Sequence, residues 1–296
     1  MLNNHRTWIF SAHTPAPVTV PQTLFIWISV SLAWNGALSY LTGGIQNGIY
    51  LQWGGITITM IILTRYFVCL ENLTFEKFMG RKLPGSTIPE LSIVLAVCIL
   101  LGVACWSVLV LLSAKFDVEW AHQHWRLLTT KEFQEVTWLP SWLVLDFICG
   151  VILVPITEEI VFRGFILRRL SEKYRLGTAI ILSSLLFAVF HIDQSFLGSF
   201  VHGVIFALLA IRFGSLYAPI IVHGAYNAIV SVLQRGFGVA MVVDAERIDS
   251  TAYWLPEIVL LAVGILAMLA YFQFCLRNEA LGRQSGQADD SPTPPC

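Results

Sequence analysis

Charge is what this sequence has little of. Asp, Glu, Lys and Arg make up only 12% of its 296 residues, about half of the roughly 25% found in soluble domains. The 18 basic and 19 acidic side chains nearly cancel. That excludes the basic face of a nucleic-acid binder and the high net charge of a disordered chain. Paired cysteines are missing too. Cys69, Cys98, Cys105, Cys149, Cys275 and Cys296 form no CxxC, which excludes a zinc ribbon or thiol redox motif and leaves them as polarizable filler. There is no HExxH and no internal repeat. What is there instead is apolar surface, with 56% of residues hydrophobic. A near-neutral chain of this composition cannot cover a water-facing surface. The expected fold class is therefore all-α, a polytopic membrane protein.

A spanning helix needs about 20 mostly apolar residues. Eight candidate spans follow: 23–41, 49–70, 90–114, 141–167, 178–193, 198–213, 215–234 and 254–276. The first lacks a small-residue cleavage pattern and reads as a retained span. The polar, Pro-rich stretch 284–296 reads as a disordered tail, and the whole of 1–296 as a single integral membrane domain. With the N-terminus in the cytoplasm, the inner segments hold Arg6, Lys77, Arg81, Lys82, Arg168, Arg169, Lys173, Arg175, Arg212, Arg277 and Arg283. The outer segments hold Lys115, Arg126, Lys131, Arg235 and Arg247. The bias puts both ends in the cytoplasm. The aromatic-rich connection 115–140 is expected to lie in the membrane interface.

Ionisable residues inside spans are expensive and mark function. Here they collect in the second half of the chain, at Glu158, Glu159 and Arg163 on span 4, His191 on span 5, His202 on span 6, and His223 with Asn227 on span 7. Glu159 and Arg163 are four apart and can pair, as His223 and Asn227 share one helix face. Glu158 is turned about 100° from Glu159, so the two carboxylates are free to do different work. At about 1.5 Å per residue, Glu158 lies roughly 15 Å from the cytoplasmic end of its span, His191 roughly 21 Å, and His223 and Asn227 roughly 12 and 18 Å. The three sets fall in one slab, as a shared polar intramembrane cavity requires. His202 stands apart and reads as a packed or hydrogen-bonded histidine.

A carboxylate beside a neutral histidine can hold and deprotonate a water. A second histidine and an asparagine can donate to an oxyanion. Glu with two His is also a catalytic zinc set, so a divalent metal such as zinc stays open. A secondary transporter using the buried Glu and His as a proton relay is one alternative, although paired inverted repeats are missing. A non-catalytic membrane scaffold or immunity protein is another.

The segment EEIVFRG (158–164) resembles the EExxxR motif of the CPBP intramembrane proteases, which include the CAAX prenyl endopeptidases and the bacterial Abi proteins linked to bacteriocin processing or self-immunity. FAVFH (187–191) is similar to their FxxxH motif and HGAYN (223–227) to their HxxxN motif, in the same order. The resemblance covers about 141–235, the expected catalytic core. It implies about eight membrane helices around a conical cavity open toward the cytosol, and a metal-free, glutamate-type endopeptidase with no cofactor. By resemblance Glu158 and His191 activate the water, His223 and Asn227 form the oxyanion hole, and Glu159 and Arg163 support the site. The implied partners are a peptide or protein substrate, entering from the membrane or cytosolic side, and the lipid bilayer. The expected location is a bacterial inner membrane.

Overall fold

The computed structural model describes residues 19–42, 49–70, 73–125, 147–232, 243–244 and 246–289. Apolar sequence this dense must satisfy its backbone internally, and helices do so within one segment. The described residues are accordingly helical, with one isolated antiparallel bridge between Gly80 and Ser215. Helices α1 (Val20–Thr42), α2 (Ile49–Leu70) and α4 (Ile88–Phe116) fill the first three expected spans. A five-residue helix, α3 (Phe75–Met79), capped by the Thr74 hydroxyl, lies between α2 and α4. The short α5 (Val118–Trp125) follows α4. The fourth span is α6 (149–173), which alternates π-type turns at Cys149–Leu153 and Ile160–Leu167 with α-helix at Val154–Glu159 and Arg168–Lys173. Its expected first residues, 141–146, lie outside the described residues, as do all of 126–140. Then come α7 (Leu176–Val189), α8 (Ile192–Phe213), α9 (Tyr217–Val232) and α10 (Leu255–Asp289).

Among the described residues three helices, Gly85–Phe116, Ser195–Phe213 and Leu255–Cys275, are long and apolar enough to cross a membrane, and α7 and α9 are shorter apolar helices. The protein is a polytopic all-α membrane protein. One boundary differs from expectation. α10 continues to Asp289, across the first six residues of the tail expected over 284–296. Residues 276–289 contain no proline to stop the helix, and it runs on through Gly282 and Gly286. Residues 290–296 lie outside the described residues.

Two features of the packing position the site. Pro155 has no N–H to give the carbonyl of Val151, so α6 loses a hydrogen bond where it begins to carry function. The Val151 oxygen lies against α9 at Gly224, where an added Cβ would sit 2.7 Å from it. Only a glycine lets α9 come this close. At the other end of α6, Gly164 accommodates Phe78 of α3, and a Cβ there would sit 2.5 Å from the ring. Phe78 and Met79 join Ile160, Phe165, Leu167, Leu208, Ile211 and Leu216 in a buried cluster below the site.

Candidate active site

Each expected site residue sits at the end of a short chain of backbone constraints. Glu158 and Glu159 occupy the α-helical insert of α6 between its two π-type stretches; such π turns recur at functional sites because they re-aim side chains. His191 follows the C-terminus of α7, in the break before α8. Its Nδ1 lies 2.8 Å from the Phe187 carbonyl. A carbonyl can only accept, so Nδ1 carries a proton, and a neutral ring then presents a bare Nε2. That Nε2 is 3.4 Å from Glu158 Oε1. The same logic applies to His223. Its Nδ1 donates to Glu159 Oε1 at 2.9 Å, leaving Nε2 3.8 Å from Glu158 Oε2. Three groups with lone pairs therefore converge on one point. Acceptors that face one another at such distances call for a shared proton, or a water that donates to two of them.

Glu159 does a different job from its neighbour, as the 100° offset implies. It is fully buried and its Oε1 accepts from Arg163 Nη1 at 3.0 Å as well as from His223. Arg163 is also fully buried. Its Nη2 donates to the Gly203 carbonyl at 3.0 Å, and its guanidinium lies 4.6 Å from the Phe187 ring centroid and 5.4 Å from that of Phe206. A cation so enclosed is held by its carboxylate and by aromatic faces together. Glu158 Oε2, Glu159 Oε2 and Arg163 Nε are buried without a hydrogen-bond partner among the described residues. A buried orphan of this kind marks a site with unmet polar capacity. Asn227, one turn beyond His223, donates through Nδ2 to the Gly150 carbonyl at 2.9 Å. That bond pins its amide and leaves the second N–H of the same nitrogen to point elsewhere.

Glu158, His191, His223 and Asn227 all line one cavity of about 820 Å³. Glu159 and Arg163 stand behind its wall. The six residues singled out in the sequence are thus brought together, four at the cavity and two in support. Among the described residues no group of three or more His, Cys, Asp or Glu side chains is placed to hold a metal ion.

His202 also lines the cavity, which sequence reasoning missed while expecting its hydrogen bond. Its Nε2 is 2.9 Å from the Cys98 carbonyl, and its ring stacks on Phe206, whose other stacking partner is His223. Gly102 makes room on α4, where a Cβ would meet His202 and the Tyr226 hydroxyl. No spacing rule connects His202 to a carbonyl 104 residues away; the signal available was the cluster of small residues, Gly198, Ser199 and Gly203, around it.

Residues 140–229 match the family model described as type II CAAX prenyl endopeptidase Rce1-like. The UPF0177 protein YbdI of Lactococcus lactis subsp. lactis (strain IL1403) is 37% identical over 98 residues, covering 32% of this chain and 51% of that protein. The chain thus matches about half the length of that relative. No solved structure matches. The stretch that matches the family model, residues 140–229, holds every one of the converging side chains.

Proposed function

We propose that the protein is an intramembrane endopeptidase that hydrolyses a peptide bond by direct attack of a water. The observation that carries this reading is the convergence of His191 Nε2 and His223 Nε2 on the Glu158 carboxylate, at 3.4 and 3.8 Å, on the wall of a cavity large enough for an extended peptide. The water sits between Glu158 and His191 and donates to both. As it attacks the scissile carbonyl, its proton passes to Glu158, which hands it on to the leaving amine. The carbonyl oxygen becomes an oxyanion. Asn227 meets it with its free N–H, and His223 donates through Nε2 when it carries its second proton. Arg163 holds Glu159 in place for that task.

The Rce1-like segment supports the peptidase reading, as does the order of the three motifs. The substrate is a peptide or protein segment, and nothing in the lining selects a prenylated one. The mechanism needs no metal or other cofactor. The Lys and Arg bias supports a topology with both chain ends in the cytoplasm, and a bacterial inner membrane is the location that goes with this reading.

The test is cleavage of a peptide library by the purified, detergent-solubilised protein, beside Glu158→Ala and His191→Ala, each with and without a strong chelator. We expect cleavage by the unaltered protein, a loss of at least about 10²-fold in both variants, the lower end of what general acid–base catalysis contributes, and no effect of chelator. Cleavage abolished by chelator overturns the metal-free mechanism. Cleavage retained by Glu158→Ala overturns the role of the carboxylate.

A further inference from the structure

The proposed reaction uses Glu158, His191, His223 and Asn227, and it leaves one corner of the cavity idle. Ser195, Ser199 and His202 follow one another at helical spacing on α8, so they share a face, and all three line the cavity. Tyr226 lies between His223 and Asn227 on α9, and all three of these line it too. The two helices pack against each other, and α4 packs against both. Gly102 is what α4 brings to the junction. A Cβ there would sit 2.5 Å from the Tyr226 hydroxyl and 3.2 Å from His202 Cε1. The Tyr226 and His202 rings lie 4.4 Å apart, centroid to centroid.

The hydroxyls of this corner have unmet capacity. Ser195 Oγ accepts from the Gly198 N–H at 3.2 Å, which leaves its own O–H to donate. The Ser199 and Tyr226 hydroxyls make no hydrogen bond among the described residues, although both side chains are partly buried and a buried tyrosine hydroxyl ordinarily has a partner. His202 Nε2 is committed to the Cys98 carbonyl at 2.9 Å, which fixes the ring as a wall. A ligand atom placed here meets hydroxyls that can each give or accept a hydrogen bond. It meets no formal charge. Among the described lining residues Glu158 alone is an Asp, Glu, Lys or Arg, and its carboxylate faces the two site histidines. A charged side chain would go unpaired in this corner, and an apolar one would leave the hydroxyls unsatisfied.

We infer that Tyr226 and Ser199, walled by His202, form a specificity subsite that takes one neutral hydrogen-bonding side chain of the peptide, that of Ser, Thr, Asn or Gln. Tyr226 is about 4.5 Å of helix beyond His223. An extended peptide advances about 3.3 Å per residue, so the residue read lies one or two positions from the bond under attack. Successive side chains of such a peptide point to opposite faces, so a single position is selected rather than a run. A site built to hydrogen-bond a substrate group rejects the analogue that lacks it far more strongly than an apolar pocket rejects a change of size. The subsite deepens the peptidase reading and rests on it for the scissile bond, while the preference itself needs only binding.

The experiment reads binding and turnover separately, on the purified full chain in detergent. A peptide library varies each position among Thr, Val, Asn, Leu, Asp and Lys. Cleavage by the unaltered protein gives kcat/KM ratios, and equilibrium retention of the same library on immobilised Glu158→Ala protein gives binding ratios without turnover. At one position we expect Thr over its isostere Val, and Asn over Leu, by at least about tenfold in both readouts, with Asp and Lys disfavoured. The Thr to Val ratio should fall toward one in Tyr226→Phe and fall at least about threefold in Ser199→Ala, and either variant suffices if the other does not fold. Val accepted as well as Thr at every position overturns the subsite. So does a preference that both variants keep, because the hydroxyls then do not carry it. Cleavage without a polar preference defeats the subsite alone. Selective retention without cleavage defeats the peptidase reading and leaves the subsite standing. Neither retention nor cleavage overturns both.

Discussion

Glu159 and Arg163 are an ion pair with no solvent around either side chain. The spacing of four made the pair legible in the sequence, and the 100° offset made it legible that Glu158 would face elsewhere. The Gly203 carbonyl and the Phe187 and Phe206 rings that complete the arginine's shell come from distant stretches of chain, and no local rule reaches them. Removing one partner of a buried pair leaves an uncompensated charge and costs about 3–5 kcal/mol, whereas replacing both with apolar groups is often near neutral. Arg163→Met alone is expected to lower thermal stability in detergent sharply. Arg163→Met with Glu159→Leu should recover most of that loss. The pair of variants separates two roles, because the double variant still leaves His223 Nδ1 without its carboxylate. Recovered stability with activity still lost is the expected outcome. Recovery of both would mean that Glu159 serves packing alone.

At the scale of elements, span positions were legible because apolar length is a one-dimensional signal. Most described helix ends lie within four residues of where hydropathy puts them, while α8 starts six residues earlier, α6 ends six residues later, and α10 continues to Asp289. The π-type turns of α6 were not legible. They arise from partners on other helices, such as the Asn227 amide on the Gly150 carbonyl, together with the missing N–H of Pro155. The α6–α9 contact shows how one residue type carries such an arrangement. A Cβ at Gly224 would lie 2.7 Å from the Val151 carbonyl oxygen, and that neighbour is backbone, so relief requires moving a helix. Gly224→Leu, and to a lesser degree Gly224→Ala, should push α9 outward and carry His223 away from Glu158. A displacement of about 1 Å in catalytic geometry can cost 10²-fold in rate. Turnover of purified Gly224→Ala and Gly224→Leu measures this directly, and unchanged turnover in the leucine variant would show the contact to be loose.

The molecule as a whole has a packed cluster beside the Lys/Arg-rich connections and a polar cavity that holds the site. The sequence placed the reactive residues in one slab but did not show what packs against it. Part of that packing, Phe78, comes from α3, a connection with no motif and little hydrophobic length. Gly80 ends α3 with φ of 82°, a backbone that suits glycine, and lets the chain turn back along α8. Phe78 is the side chain that connection delivers, packed against Phe165 with ring centroids 5.1 Å apart and under the Arg168 guanidinium. Truncating a buried phenylalanine costs about 3–5 kcal/mol when the surroundings cannot collapse, and here the buried cluster it belongs to draws on α2, α6, α7, α8 and α10. Phe78→Ala should therefore lower the midpoint of thermal unfolding while touching no group that faces the cavity. Thermal unfolding of the purified protein in detergent, with Phe78→Leu beside Phe78→Ala, measures this. The leucine variant should lose less than the alanine variant, and an unchanged midpoint in both would show that α3 covers the helices without joining their core.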